Sequence, residues 1–398
     1  MAFFYIIHTF IFSVGNRYFL HFTTTAKNMQ DGIIHLLFLS QYVKIRVYYE
    51  KEITKMAISF KGAKKYAKHN GFSHTREIKA PIPSLIHYYP TVQNGFVLEP
   101  TVAVGDFVLI GQKIADIAEF NTIPVVSGSS GRVVSVDNGI IAVENDMMFG
   151  RAPHVRAAKP TAELTTRETL WLLREGCVYD RLCRAPLHTL LSEKRVSDCI
   201  IVCCFDSDPY VSSPQMSARG NAPVIIAALE LCMKLSGITK AFVVVENDTK
   251  KTYADFKYYL RYNPNISPVL LQARYPQSRS DILINTVTGS PLTNALILSP
   301  ETLVNMSEVL RTGAPVTKKI VTVSGDEILE PENFYVPIGA TVASVIESGG
   351  YSSPAYVIDG GVIDGAMVTD LDAPITHDTK ALIAFNEQKN IPKYRKLL

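Results

Sequence analysis

The 398-residue chain carries 40 Lys and Arg against 37 Asp and Glu, and 47% of its positions are hydrophobic, which suits two or three packed domains. Six cysteines, 23 glycines and 22 prolines exclude a disulfide-stapled mini-protein, a collagen-like repeat and a Pro/Gly-rich disordered chain. The net charge of +3 sits wholly in residues 1–55, so residues 56–398 hold 34 charges of each sign, and this neutral body gives no support for nucleic-acid binding.

The first 55 residues differ from the rest in aromatic content as well: they hold 12 of the 38 Phe, Tyr and Trp residues, and no proline precedes Pro81. Residues 1–14 are apolar except for His8, Thr9 and Ser13. They have no Lys or Arg ahead of the apolar run and no small-residue cleavage site, so they make a poor signal peptide. They also fall short of the roughly 20 residues that a bilayer-crossing helix needs. A second apolar run, 33–39, is shorter still. Three readings stay open: translated upstream sequence ahead of a start at Met29 or Met56, a membrane-surface anchor rich in aromatics, or an extra domain.

Over residues 56–160, short β-rich runs at 96–100, 102–116 and 123–136 alternate with turn residues at Gly105-Asp106, Gly111 and Gly128 to Gly131, the punctuation of a small barrel. The pattern resembles barrel-sandwich domains of the biotinyl/lipoyl type. The turn at 127–132 lacks the lysine that a carrier domain modifies, which argues against a swinging arm.

From 161 to 318 the period changes. Thr165 with Glu168 predicts a capping box ahead of a short helix that ends near Gly176. Cys199-Ile-Ile-Val-Cys-Cys204 has the length of a buried strand. Ser213-Pro214 opens a helix whose apolar positions Ile225, Ala228, Leu229, Cys232 and Leu235 follow helical spacing up to Gly237. A strand at 241–245, a helix capped by Asp248 or Thr249 and a strand at 267–272 complete a strand-helix alternation, which predicts a parallel, Rossmann-like α/β sheet. Residues 319–368 then read as two strands, a short helix and a further strand, a small module of the β-grasp kind, with 369–398 as a C-terminal segment.

Several strings carry a family resemblance over residues 90–385. Gly360-Gly-Val-Ile-Asp-Gly365, Asp370-Leu-Asp-Ala-Pro-Ile-Thr376 and Lys380-Ala-Leu-Ile-Ala384 resemble the RnfC run of glycines followed by leucine-aspartate-x-proline. Ile320-Val-Thr-Val-Ser-Gly-Asp326 resembles the opening of that family's β-grasp SLBB domain. Phe205-Asp-Ser-Asp-Pro-Tyr210 resembles its acidic-acidic-proline turn, and Tyr275-Pro276 a tyrosine-proline pair further on. The whole is similar to the RnfC and NqrA subunits of Rnf and sodium-pumping NADH:quinone oxidoreductase complexes. The resemblance implies an α/β multidomain fold with a barrel-sandwich domain, a complex I flavoprotein-like Rossmann domain and an SLBB domain. It also implies a peripheral subunit on the cytoplasmic face of the cell membrane, in company with integral membrane subunits.

The departures from RnfC shape the expected chemistry. Where RnfC proteins have a glycine-rich flavin loop, residues 175–188 hold one glycine, with Tyr179, Asp180, Arg181 and Leu182 in the space a flavin would need. Residues 277–280 replace paired glycines, and no cysteine follows Cys232, so the usual four-thiolate set for an iron–sulfur cluster is missing from this sequence. A separate ferredoxin-like protein becomes a natural partner. NADH or FMN binding is implied by resemblance alone, through Asp206, Asp208, Tyr210 and Tyr275. The expected role is a docking and structural subunit at the electron-input side; the alternatives are an NADH-binding (and FMN-binding) electron-input subunit and a small-ligand receptor using the SLBB module.

Each candidate has a plainer reading. Asp206 and Asp208 lie at the carboxyl end of a parallel strand, where open α/β sheets place ligands, but an Asx-type turn before Pro209 accounts for them equally. Cys203 and Cys204 point to opposite faces of one strand and read as buried thiols. Cys177 and Cys183 have weak metal spacing, and His188 lies between leucines with no nucleophile beside it. No G-x-G-x-x-G or Walker pattern occurs, and the sequence assigns neither a catalytic residue nor a metal.

Overall fold

The protein is described by a computed structural model covering residues 9–14, 17–22, 57–59, 78–79, 83–90, 92–93, 96–117, 119–137, 139–154, 160–192, 197–351 and 354–387. The chain divides into units Met1–Met56 and Ala57–Leu398. In the first, Thr9–Val14 and Arg17–Phe22 form an antiparallel hairpin, with Thr9 opposite Phe22 and Val14 opposite Arg17. The apolar run 33–39, Met29 and Met56 lie outside the described residues.

The second unit opens with two small antiparallel sheets. One has the order Leu85–Tyr88 (β1), Ile140–Asn145 (β7), Gly131–Asp137 (β6), Phe107–Val108 (β3). The other comprises Glu99–Pro100 (β2), Lys113–Asp116 (β4) and Val125–Val126 (β5). Alternation of side chains sends Ile86, Tyr88, Val108, Ile114, Val133, Ile141 and Val143 into one shared core. Gly131 is obligatory there: its φ is 153°, and a Cβ would stand 1.9 Å from the Glu144 carbonyl oxygen. The turn at 127–130 is buried, with the Gly128 N–H donating to the Tyr88 hydroxyl at 2.5 Å. A carrier hairpin would need that turn in solvent.

Next comes Thr166–Glu175 (α1), whose start is the expected capping box: Thr165 accepts from the Glu168 N–H at 3.2 Å and Glu168 accepts from the Thr165 N–H at 2.8 Å. Tyr179–Asp180 (β8) pairs with Ala185–Pro186 (β9) in a short hairpin, followed by Leu187–Ser192 (α2). Cys199–Cys203 (β10), Ala241–Glu246 (β11), Ile266–Leu271 (β12) and Ala295–Leu298 (β13) then form a wholly parallel sheet. Its order is β12-β11-β10-β13. The order reverses between β10 and β13, which makes their carboxyl ends the topological switch point.

The helices between these strands are Ser213–Ala218 (α3), Ala222–Ser236 (α4), Lys250–Tyr259 (α5), Ser280–Thr288 (α6) and Pro300–Thr312 (α7). The single helix expected from Ser213 to Gly237 is two: Gly220 takes φ 73° and Pro223 cannot donate, so the chain breaks between α3 and α4.

The remainder forms one mixed sheet. Its strands run in the order Ala366–Met367 (β17), Tyr356–Asp359 (β16), Ala381–Phe385 (β18), Lys318–Gly325 (β14), Glu332–Pro337 (β15), with Ile78–Lys79 at the far edge. Val342–Ser348 (α8) covers one face through Val345 and Ile346, which pack with Val321, Val323, Phe334, Val336 and Leu382. β18 comes from the stretch expected to be a separate tail, yet it is a central strand, parallel to β14 and antiparallel to β16. Its alternate residues Ala381, Ile383 and Phe385 pack on Tyr210 and Val211, just beyond the acidic turn.

Candidate functional site

The carboxyl end of β10 runs into the turn 206–210, where every side-chain oxygen of the acidic pair already has a partner. Asp206 Oδ1 accepts from the Asp208 N–H at 2.9 Å, the Asx geometry that a short acid adopts before proline. Asp206 Oδ2 accepts from Lys380 Nζ at 2.9 Å, and the same ammonium reaches Asp364 at 3.3 Å. Asp208 accepts from the Tyr210 N–H and, through Oδ2, from the Ile363 N–H, both at 3.0 Å. Ser207 and Ser278 exchange reciprocal bonds at 2.8 and 3.1 Å. The glycine run 360–365 is therefore folded onto the acidic turn, and a Cβ on Gly361 would lie 2.3 Å from Asp208 Oδ2.

Burial works against ionisation of Asp206, but the Lys380 ammonium and the Arg181 guanidinium outweigh it and hold the carboxyl below its ordinary range. For Asp208, burial and the neighbouring Asp206 charge act together and raise the carboxyl to about 7. Burial also opposes the charge on Lys380, yet Asp206 and Asp364 keep its pKa above the usual lysine value. Deeper in, burial pulls Lys319 down to about 8 against the attraction of Glu301; its ammonium donates to the His377 carbonyl. Burial and the Lys319 charge lower the His377 ring to about 3.

The predicted site residues are only partly gathered. Asp206 and Asp208 share the turn, and Tyr275 is buried close enough for the Asp364 and Asp208 carboxylates to add to the effect of burial in raising its hydroxyl pKa. Tyr210 points away and meets the Phe385 ring edge-on at 5.8 Å. Lys380, the cation that completes the cluster, was missed as a functional residue. Its signal was a lone lysine opening an apolar strand, and its partner Asp206 lies 174 positions away.

Across the switch point, the β8–β9 hairpin inserts a second carboxylate. Asp180 is fully buried and accepts from the Ser299 N–H at 2.8 Å, the Thr302 hydroxyl at 2.7 Å and the Cys183 N–H at 2.9 Å. Ser299 and Thr302 are the N-cap and third residue of α7, so the carboxylate lies at the positive end of that helix. Tyr179 fills the adjoining space, its ring 5.4 Å from the ring of His377. Burial, reinforced by Asp378, raises its hydroxyl pKa.

The remaining candidates are structural. All six cysteines are free, five of them buried, and Cys183 donates to the Ile297 carbonyl at 3.0 Å. No group of three or more metal-ligating side chains occurs among the described residues. His188 is buried against Phe120, with burial lowering its ring to about 4.

Comparison with known proteins matches residues 58–149 to a family model described as the RnfC barrel sandwich hybrid domain, and residues 184–309 to one described as the Nuo51 FMN-binding domain. The RnfC-type component of the proton-translocating ferredoxin:NAD(+) oxidoreductase complex of Clostridium ljungdahlii is 27% identical, over 77% of this chain and 72% of that protein. Its counterpart in the Na(+)-translocating complex of Acetobacterium woodii is 24% identical, over 77% of this chain and 74% of its own length. Among solved structures, a chain of an NAD+-reducing [NiFe]-hydrogenase aligns with a TM-score of 0.48 at 15% identity, covering 60% of this chain and 53% of that one.

The second family description implies FMN, and the residues present do not fit it. The segment after α1 presents buried Asp180 and half-buried Tyr179 where a flat ring system and its phosphate need close backbone approach. The donors at the start of α7 are already bonded to a carboxylate, which would repel a second anion.

Proposed function

Because the chain is of the RnfC type, we propose that it serves as a peripheral subunit of a membrane-bound, ion-translocating electron-transport complex, chiefly as a docking and structural part of its electron-input side. The observation that carries this reading is the similarity to components of ion-translocating oxidoreductase complexes along three quarters of the chain, through both matched modules in order. No described helix is long and apolar enough to cross a membrane, so attachment is through integral membrane subunits, on the cytoplasmic face. A separate ferredoxin-like protein supplies the clusters. The mixed sheet with α8 is read as an SLBB-type β-grasp, a reading supported by the β14–β15 hairpin and the helix that follows it. The domain limits adopted are 56–160, 161–318 and 319–368, with the tail donating β18 to the last.

The structural emphasis is supported by the closed state of the acidic turn and by Asp180 at the helix end. Capture of the tagged chain from gently solubilised membranes tests the reading: integral membrane redox subunits are expected to come with it. Recovery of the chain alone would sink it.

A second reading, NADH binding by Asp206 and Asp208 with Tyr210 and Tyr275, is favoured by the match to the Nuo51 module and by the position of Asp206 beyond the first parallel strand. Saturable NADH binding by the purified protein, lost in Asp206→Ala, would establish it.

A further inference from the structure

We propose that the crevice at the switch point is self-occupied: the Asp180 carboxylate stands where a phosphate or similar anion of a nucleotide-like ligand would meet the start of α7, and keeps this latent anion site closed. The inference deepens the structural reading of the module, on which it rests only for the expectation that no nucleotide is used there; membrane capture can fail without touching it.

Three observations carry it. The position is the one where an open parallel sheet of order β12-β11-β10-β13 offers a ligand crevice, between the carboxyl ends of β10 and β13. The donors are of the kind an anion needs there: the Ser299 N–H that caps a 13-residue helix, the Thr302 hydroxyl and the Cys183 N–H, all within 2.9 Å of a carboxylate that is itself fully buried. Finally, that carboxylate is delivered by a hairpin belonging to neither β10 nor β13. Its other contacts wedge it in place: the Thr302 hydroxyl also lies 3.2 Å from the Tyr179 carbonyl, and Arg184 at the bend takes φ 52°, a left-handed conformation that glycine would adopt with less strain. An ordinary N-cap could come from Ser299 alone, which already accepts from the Thr302 N–H at 3.2 Å; the buried acid is additional to what the helix requires.

The test vacates the site. Asp180→Gly, and Asp180→Gly combined with Tyr179→Gly, are compared with the wild-type full chain by thermal unfolding in inorganic phosphate, formate and chloride at equal ionic strength. The expected result is a saturable phosphate-dependent rise in melting temperature in at least the double variant, and none in the wild type. Stabilisation by formate without phosphate would mean that only the deleted carboxylate is being replaced, and would overturn the proposal. So would phosphate stabilisation no greater than that by chloride. If neither variant folds, equilibrium dialysis of the wild-type chain with inorganic phosphate decides: stoichiometric binding abolished by Ser299→Pro, which deletes the capping N–H, overturns the idea of a filled site, and absence of binding upholds it.

Discussion

Two ionic joints hold the body together, and they differ in how their charges balance. Where α1 meets the barrel, Arg174 is 2% exposed, and its guanidinium reaches Asp116 at 2.8 Å, the Ile117 carbonyl at 2.6 Å, the Glu119 carbonyl at 3.2 Å and Glu175 at 2.8 Å. Lys113 closes the group by bridging Asp116 and Glu175. Two cations face two carboxylates there. Burial alone would raise the Asp116 carboxyl, but its bonds to Arg174 and Lys113 prevail and lower it. Where the parallel sheet meets the mixed sheet, Lys380 faces Asp206 and Asp364, and among the described residues no cation pairs with Asp208. A balanced joint keeps one protonation state through the range in which proteins are stable. An acid-rich joint carries a carboxyl that titrates near neutrality.

Breaking the balanced joint should do the most damage. Arg174→Met strands the Asp116 carboxylate and two carbonyls in a nearly dry setting, and we expect a loss of about 3–5 kcal/mol of stability, the range for removing one partner of a buried pair, read from urea unfolding midpoints. Lys380→Met should come next, near the lower end of that range, because Asp364 is largely exposed and can turn to water. Its loss should shrink as the pH is lowered, since the stranded Asp206 can neutralise itself by taking a proton. A pH-independent loss would mean that the acidic turn bears no charge worth balancing.

Asp208 sharpens the contrast. Its folded carboxyl, at about 7, lies above its ordinary value of 3.8, so the folded chain holds this proton more tightly than the unfolded one. Stability from this group is complete at pH below the ordinary value and is lost as the pH rises through about 7, at about 1.4 kcal/mol for each unit of pKa difference. Asp206 has the opposite sign, adding stability above its ordinary value that is lost in acid. Asp208→Asn should remove the decline between pH 4 and 7, whatever it does to the absolute stability through the acceptor it forfeits. An unchanged slope in the variant would assign the titration elsewhere.

What could be read in the sequence followed the range over which the physics acts. The Thr165 capping box, the apolar strands at 199–203 and 241–246 and the Asx turn at Asp206 are set by neighbours within a few positions, and all three are present as read. The break between α3 and α4 was also local, but Gly220 and Pro223 were outvoted by the apolar periodicity around them. The strand order could not be read, since parallel pairing through crossovers leaves several arrangements equally well patterned. Asp180 was seen as bulk and not as an anion, because its donors Ser299 and Thr302 lie about 120 positions away. Lys380 was quoted within a motif and given no role for the same reason.

The smallest effect tests whether local and long-range contributions are separable. Thr165→Ala removes the acceptor of the Glu168 N–H and opens the capping box, at an expected loss of about 1 kcal/mol. The cap and Arg174 stand on the same helix, nine positions apart, or roughly 13 Å along its axis. At that distance their effects should add to within about 0.5 kcal/mol. A double variant Thr165→Ala with Arg174→Met that loses clearly less than the sum would mean that the end of α1 is already frayed once the joint is broken, and hence that the barrel contact, and not the cap, holds the helix in place.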